Sequence, residues 1–222
     1  MRQRTRSSLT DASRHPAVTV RQVTGTAGVA VAVLFAAGNA LWALEQPEAD
    51  ASARQITAFY THTSGRVIAG ASVSLVAGAL FVLFAAGLRA ILDEVEGDGV
   101  LGTTAFGGGL LVVATGLAAE TINMAGALLA EHGHLSAELG RALFEISYVL
   151  GYNAAGVGVG VLILAVAVAA LRGGSLLPRW LALVLLLIGL AFLTPLSRFL
   201  LAPSLLLRAC PGRRGISVTA RV

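Results

Sequence analysis

At 222 residues, 56% hydrophobic and 13% charged, with a mean hydropathy of +0.80, the chain lies far from soluble usage, in which about a quarter of residues are charged. An ordinary water-soluble globule is excluded. The formal net charge of +4 rests on arginine alone, because the sequence contains no lysine. The arginines stand between apolar runs and form no basic patch interleaved with aromatics, so nucleic acid is not expected as a partner; the lipid bilayer is.

Residues 1–22 carry Arg2, Arg4, Arg6, Arg14 and Arg21, lack sustained periodicity and contain Pro16. They read as a basic cytoplasmic arm. The apolar run 24–44 follows, long enough as a helix to cross about 30 Å of hydrocarbon. It exceeds the roughly 7–15 residues of a signal-peptide core and no small-residue cleavage site follows, so a retained helix is expected.

Four more apolar blocks have boundaries set by charges and turn formers, since periodicity says little where both faces are apolar. The second spans 67–92 and the third 103–130, the latter interrupted by Glu120, Thr121 and Asn123. The fourth spans 142–171 and the fifth 180–193. After Thr194 and Pro195 a stretch at 199–207 ends at Arg208, and a basic tail, 208–222, closes the sequence. Pro195 makes that stretch either a sixth helix or the end of a kinked fifth.

Arginine placement favours six crossings with the N-terminus inside. Twelve arginines then face the cytoplasm (Arg2, Arg4, Arg6, Arg14, Arg21, Arg89, Arg172, Arg179, Arg208, Arg213, Arg214, Arg221) and four the exterior (Arg54, Arg66, Arg141, Arg198). That obeys the positive-inside rule, whereas five crossings divide them evenly. Length argues the other way, because residues 199–207 reach only about 14 Å as a helix. The expected fold is therefore an all-α polytopic transmembrane helix bundle at residues 23–207, five full helices plus a short or truncated sixth, multi-pass in the plasma membrane.

Two loops have local signals. Ser52 with Gln55 three residues later matches a capping box, and Ile56, Phe59 and Tyr60 then share one face of a short helix. Such a helix lies on the bilayer surface or packs over the bundle mouth. Between the second and third blocks Asp93, Glu94, Glu96 and Asp98 read as a solvated turn, which the topology rule does not count. The hexapeptide VLFAAG occurs at 33–38 and 82–87, either a trace of an internal repeat or a chance match in a Val-, Ala-, Leu- and Gly-rich chain.

Glycine is 26 of 222 residues, much of it inside the apolar blocks. Gly70, Ser74 and Gly78 form a small-residue column, and Gly107–Gly109, Gly116, Gly156, Gly158 and Gly160 mark later helices; all favour close helix packing in lipid. A flexible pathway is the functional alternative. No phosphate-loop motif is present.

Polar groups inside apolar helices carry the sharpest chemical signal, because an intramembrane carboxylate costs at least a few kcal/mol. Glu120 lies deep in the third block with Asn123 at i+3. Glu145, Tyr148 and Tyr152 form a stripe on the fourth, bordered by Asn153. Arg198 stands beyond the fifth. All fall in the outer half, so Glu120, Asn123, Glu145, Tyr148, Tyr152, Asn153 and Arg198 are the expected ligand-binding residues of an outward-opening polar cavity. Arg198 is the expected cation for one glutamate, leaving the other for a proton relay. Against this stands a structural reading in which the same groups only fix helix register.

His132 and His134, near Glu131 and Glu138, are the one cluster with metal-ligand chemistry, and as exposed loop histidines they are read as solvated; no metal or other cofactor is expected. The single Cys210 also leaves no thiol cage. No nucleophile motif occurs, which makes an enzyme the less favoured class. Trp42, Tyr60 and Trp180 read as interfacial aromatic belts. Two functions follow: binding or transport of a small molecule or proton through the outer-half cluster, or a structural or regulatory subunit without ligand. A homo-oligomer or a membrane partner is compatible with either.

The stretches GNALWALEQPEADASARQITAFYTHTSGRVIAGASVSL, GLAAETINMAGALLA, FEISYVLGYNAAGVGVG and LLPRWLALVLLLIGLAFLTPLSRFLLAPSLLL resemble a group of uncharacterised actinobacterial integral membrane proteins, domain-of-unknown-function families with about six helices. The resemblance spans roughly residues 24–207. It implies six helices in an actinobacterial plasma membrane and brings no activity, cofactor or catalytic residue. It also implies an apolar sixth helix continuing past Leu207, where this chain turns to RACPGRRGISVTARV, the mark of a truncated or frame-shifted gene or of a short natural variant.

Overall fold

The computed structural model describes residues 15–48, 50–173 and 177–194, which are helical with no strand among them. Five helical rods follow one another: α1 (His15–Ala40), α2 (Ala53–Glu96), α3 (Val100–Glu131), a composite rod, and α6 (Arg179–Leu193). The composite rod is α4 (Ala137–Tyr148), a π turn (Val149–Ala154) and α5 (Ala155–Gly173). Four rods are long and apolar enough to cross a membrane, Val20–Ala40, Ala53–Val95, Val100–Glu131 and Ala137–Gly173. The fifth block, expected as a full helix, is the 15-residue α6, about 22 Å long and short of a full crossing. The 199–207 stretch and Arg198 lie outside the described residues.

Local chemistry sets the ends. Helix α1 starts at His15 and so takes in residues assigned by composition to the basic arm; Pro16 falls in its first turn, where a missing N–H breaks no helical bond. The capping box is present: the Ser52 N–H donates to Gln55 Oε1 at 2.8 Å and the Gln55 N–H to Ser52 Oγ at 3.4 Å. It opens no separate helix, because α2 runs unbroken for 44 residues. The face of Ile56, Phe59 and Tyr60 is buried in the protein, which decides for packing on the bundle over lying on the bilayer. At the far end Gly97 (φ 83°) and Gly99 (φ 71°) adopt the left-handed conformation that glycine tolerates best, turning α2 into α3 in three residues.

The acidic turn there is more than solvated. Glu94 pairs with Arg21 at 3.5 Å, Asp93 with Arg89 at 3.6 Å, and Asp98 Oδ1 accepts from the Val100 N–H at 3.2 Å. These exposed pairs hold little energy.

Packing follows chain order. Helix α1 packs on α2, α2 on α3, α3 on α5, and α5 on α6, while α4 also packs on α2. Lipid supplies no hydrophobic drive between apolar helices, and close backbone approach replaces it. A Cβ on Gly108 would stand 2.8 Å from the Gly158 carbonyl oxygen, and one on Gly158 equally close to that of Gly108. Gly160 meets the Gly189 carbonyl at 3.0 Å and Gly38 that of Gly70 at 2.9 Å by the same measure. Gly70, Ser74 and Gly78 do not act as one column: Gly70 and Ser74 face Gly38 of α1, while Gly78 faces Leu117 of α3. Each i+4 step turns the helix about 40°, enough to carry the third member to another neighbour.

Two cores result. One gathers Trp42, Ile56, Phe59, Tyr60, Val67, Ala127 and Phe144 near the start of α2; the other gathers Leu92, Ala105, Ala165 and Ala169 near its end. Trp42 and Tyr60, 6% and 0% exposed, are thus core residues and not belt residues. Trp180 is 67% exposed.

Replacing Gly158 by Leu forces α3 and α5 apart, and thermal unfolding in detergent should show a loss of about 1–3 kcal/mol or more. Gly107, with open space around it, is the control: Gly107→Ala should leave stability unchanged or raise it by up to about 1 kcal/mol. Equal behaviour of the two variants would remove the backbone contact as the organising interaction.

Candidate functional site

The polar residues gather near the N-terminal half of α2. There Arg66 grips Glu45 through two parallel hydrogen bonds of 2.6 Å, tying the short 3-10 turn after α1 (Ala43–Glu45) to α2. The guanidinium hydrogen bond holds the Glu45 carboxyl below the usual glutamate range. A wide depression of about 610 Å³ opens beside this pair, over Phe59 and rimmed by Glu45, Glu48, Asp50 and His62.

One layer deeper, Asn123 of α3 joins three elements. Its Oδ1 accepts from the Tyr60 hydroxyl of α2 and the Ser147 hydroxyl of α4, both at 2.9 Å, and all three side chains are buried. A buried amide oxygen satisfied from two neighbouring helices fixes how those helices meet.

Glu120 lies one turn further along α3. It is 8% exposed, and its Oε2 is buried with no hydrogen-bond partner. The hydroxyl of Ser74 on α2, also buried without a partner, lines the same small cavity of about 40 Å³. The rest of that lining is apolar or small: Val31 and Phe35 of α1, Ala77, Gly78 and Phe81 of α2, and Val112, Val113, Gly116 and Leu117 of α3. Helix α1 rests on α2 beside α3, so the cavity is a notch between α1 and α3 floored by α2.

The residues expected to meet are placed as follows. Glu120 and Asn123 share α3, and Tyr152 lies in the π turn. Tyr148 and Tyr152 lie against one another with ring centroids 4.5 Å apart, and the Tyr152 hydroxyl donates to Gln46 Oε1 at 3.4 Å. Asn153 is half-buried in the π turn. Glu145 is turned away: it accepts from Arg141 at 2.7 Å in an i,i+4 pair, both side chains about half exposed. Arg198 lies outside the described residues.

Sequence reasoning missed Tyr60, Ser147, Ser74 and Gln46. Tyr60 is 63 residues from Asn123, and nothing local marks the pairing. Ser147 sits two residues after Glu145, hence on another face of the same helix, and Ser74 had been read only as a packing residue. The histidine loop gathers no metal site: His132 Nδ1 lies 2.7 Å from the Leu128 carbonyl, and among the described residues no three His, Cys, Asp or Glu side chains meet.

Tyr60→Phe removes one of two donors to Asn123 and should lower thermal stability by about 0.5–1.5 kcal/mol, while Asn123→Leu, which strands the Tyr60 hydroxyl and leaves Ser147 only the Phe144 carbonyl, should cost more. A double-mutant cycle over Tyr60 and Ser147 measures the coupling, and strict additivity would deny a shared acceptor. The Glu45–Arg66 pair stabilises the fold where Glu45 is ionised, because a lowered folded-state value means the folded protein holds its charge to lower pH than the unfolded chain. Its contribution is present above the ordinary glutamate range and lost as pH falls through the lower folded value. Arg66→Gln should therefore flatten the acid limb of a stability–pH curve and leave the curve's shape above neutrality unaltered.

Compared with known proteins, the chain matches no family model, no curated protein and no solved structure.

Proposed function

We propose that this is a multi-pass integral membrane protein that binds and releases a proton at Glu120, as the exchangeable site of a proton-coupled binding or transport activity. One observation carries the reading: an acidic side chain on an apolar rod, more than nine-tenths buried, with one oxygen unpartnered and a cavity beside it. A carboxylate left alone in such surroundings costs several kcal/mol, and a proton or another cation removes that cost. The remaining polar residues do not need a ligand. Glu45 has Arg66, Glu145 has Arg141, and Asn123 has Tyr60 and Ser147. Those satisfied contacts support the second reading, a structural or regulatory subunit, for these residues.

The Tyr152–Gln46 hydrogen bond ties the π turn to the segment beside Glu45. The arginine distribution, twelve against four when six crossings are counted, supports a plasma-membrane orientation with the N-terminus in the cytoplasm, as does the resemblance to actinobacterial membrane proteins.

Infrared spectra of the protein in phosphatidylcholine vesicles test the reading. A carboxylic-acid carbonyl band should titrate with pH and vanish in both Glu120→Gln and Glu120→Leu. If neither substitution removes such a band at any pH at which the protein stays folded, Glu120 is no proton site and the structural reading stands alone.

A further inference from the structure

The notch at Glu120 says more about what enters it than that it is acidic. Its polar equipment is one carboxyl and one hydroxyl, Glu120 and Ser74, each with a buried oxygen that makes no hydrogen bond. A divalent metal would want six or more oxygens, and alkali cations likewise need several. A primary ammonium wants only a few acceptors for its three N–H groups, and a carboxylate with a neighbouring hydroxyl supplies them. Size agrees. The cavity holds about 40 Å³, and a water needs roughly 10–15 Å³ by this kind of measure, so a headgroup of ammonium size fits and a larger polar molecule does not.

The walls decide the rest of the molecule. Val31 and Phe35 on one side and Val113 and Leu117 on the other are apolar, and Phe35 is 52% exposed on the outer side of α1. Gly116, facing open space, keeps the α3 side shallow. With apolar rods in lipid, this opening faces hydrocarbon chains and not water. An occupant that fills the notch and continues out between α1 and α3 has a cationic head and an aliphatic tail.

We propose that the notch between α1, α2 and α3 binds lipophilic primary amines entering from the bilayer, their ammonium head on Glu120 and Ser74 and their alkyl tail along Val31, Phe35 and Val113. This rests on the reading of Glu120 as an exchangeable acid and names its competing ligand. The exchange balances. The protonated site is neutral; an arriving alkylammonium brings one positive charge, Glu120 gives up one proton to the aqueous phase, and the carboxylate–ammonium pair is neutral again. A low-dielectric pocket tolerates both states because neither has net charge, and it excludes having both cations at once. The groups around Glu120 fit this. Helix α2 offers Ser74, and α1 offers Val31 and Phe35.

The test uses the full chain in phosphatidylcholine vesicles, with dodecylamine as probe and dodecanol as its uncharged counterpart. Dodecylamine should bleach the Glu120 carboxylic-acid band and release about one proton per protein, and a photoreactive alkylamine should label α1 and α3 near Phe35 and Val113. Dodecanol should do neither. Glu120→Gln should weaken amine labelling about tenfold or more, and Ala77→Phe, which fills the notch and leaves the carboxyl, should weaken labelling while keeping the titrating band. If the band titrates but dodecylamine leaves it intact, or dodecanol competes as well as the amine, the inference falls while the proton site survives. Should no band belong to Glu120 while amine labelling still needs its charge, the proton reading fails and the cation site remains. Labelling that both substitutions leave unchanged is adsorption to lipid and overturns the amine site.

Discussion

The whole arrangement depends on backbone touching backbone at glycine. Apolar helices surrounded by lipid gain nothing by hiding leucine from leucine, so they hold together where their main chains come close enough for many small dispersion contacts. Gly108 against Gly158 and Gly160 against Gly189 bring α3, α5 and α6 to that distance, and Gly38 against Gly70 does so for α1 and α2. Wider side chains then settle into what space remains. The notch at Glu120 is such a remainder: α1 and α3 both rest on the small-residue face of α2, and the gap between them is closed below by Ser74, Ala77 and Gly78.

On that frame the polar groups divide by whether they are satisfied. Asn123 accepts twice, from Tyr60 and Ser147, and behaves as a rivet through three elements. Glu45 and Arg66 form a bidentate pair at the rim. Among the described residues two carboxyl oxygens, Glu120 Oε2 and Asp93 Oδ1, are buried without a partner; Asp93 keeps Arg89 at the end of α2, and Glu120 lies beside the small cavity. Evolution removes such groups when they serve nothing, because hydrophobic replacement is stabilising more often than not. That contrast, and not depth in the membrane, singles out Glu120 from its neighbours.

Much of the fold was legible because charges and turn residues interrupt the apolar runs. Ser52 with Gln55 announced a helix start, and the acidic run ending at Asp98 announced a turn. What that start led into was not legible, since a capping box marks where a helix begins and says nothing of how far it runs. The site was half legible. A carboxylate in an apolar block is visible in one sequence, as Glu120 was. Its surroundings depend on which face each rod turns to its neighbours, and high apolarity on all sides erases the periodicity that would report it. The stripe of Glu145, Tyr148 and Tyr152 assumed regular α spacing through a segment that is a π turn, where an i→i+5 bond from the Ala155 N–H to Leu150 widens the helix. Glu145 precedes that turn and reaches outward to Arg141, the nearer charge.

That the main contact of each rod is with the one before it has a consequence for how the protein is made. Each helix leaves the ribosome with its main neighbour already in the bilayer: α2 finds α1, α3 finds α2, α5 finds α3, and α6 finds α5. Only the contacts of α4 and the π turn with earlier segments, such as Ser147 at Asn123 beside Tyr60 and Tyr152 on Gln46, wait for a later rod. Assembly can then advance hairpin by hairpin with short loop closures, the regime in which native contacts form quickly and wrong partners have least time to intervene.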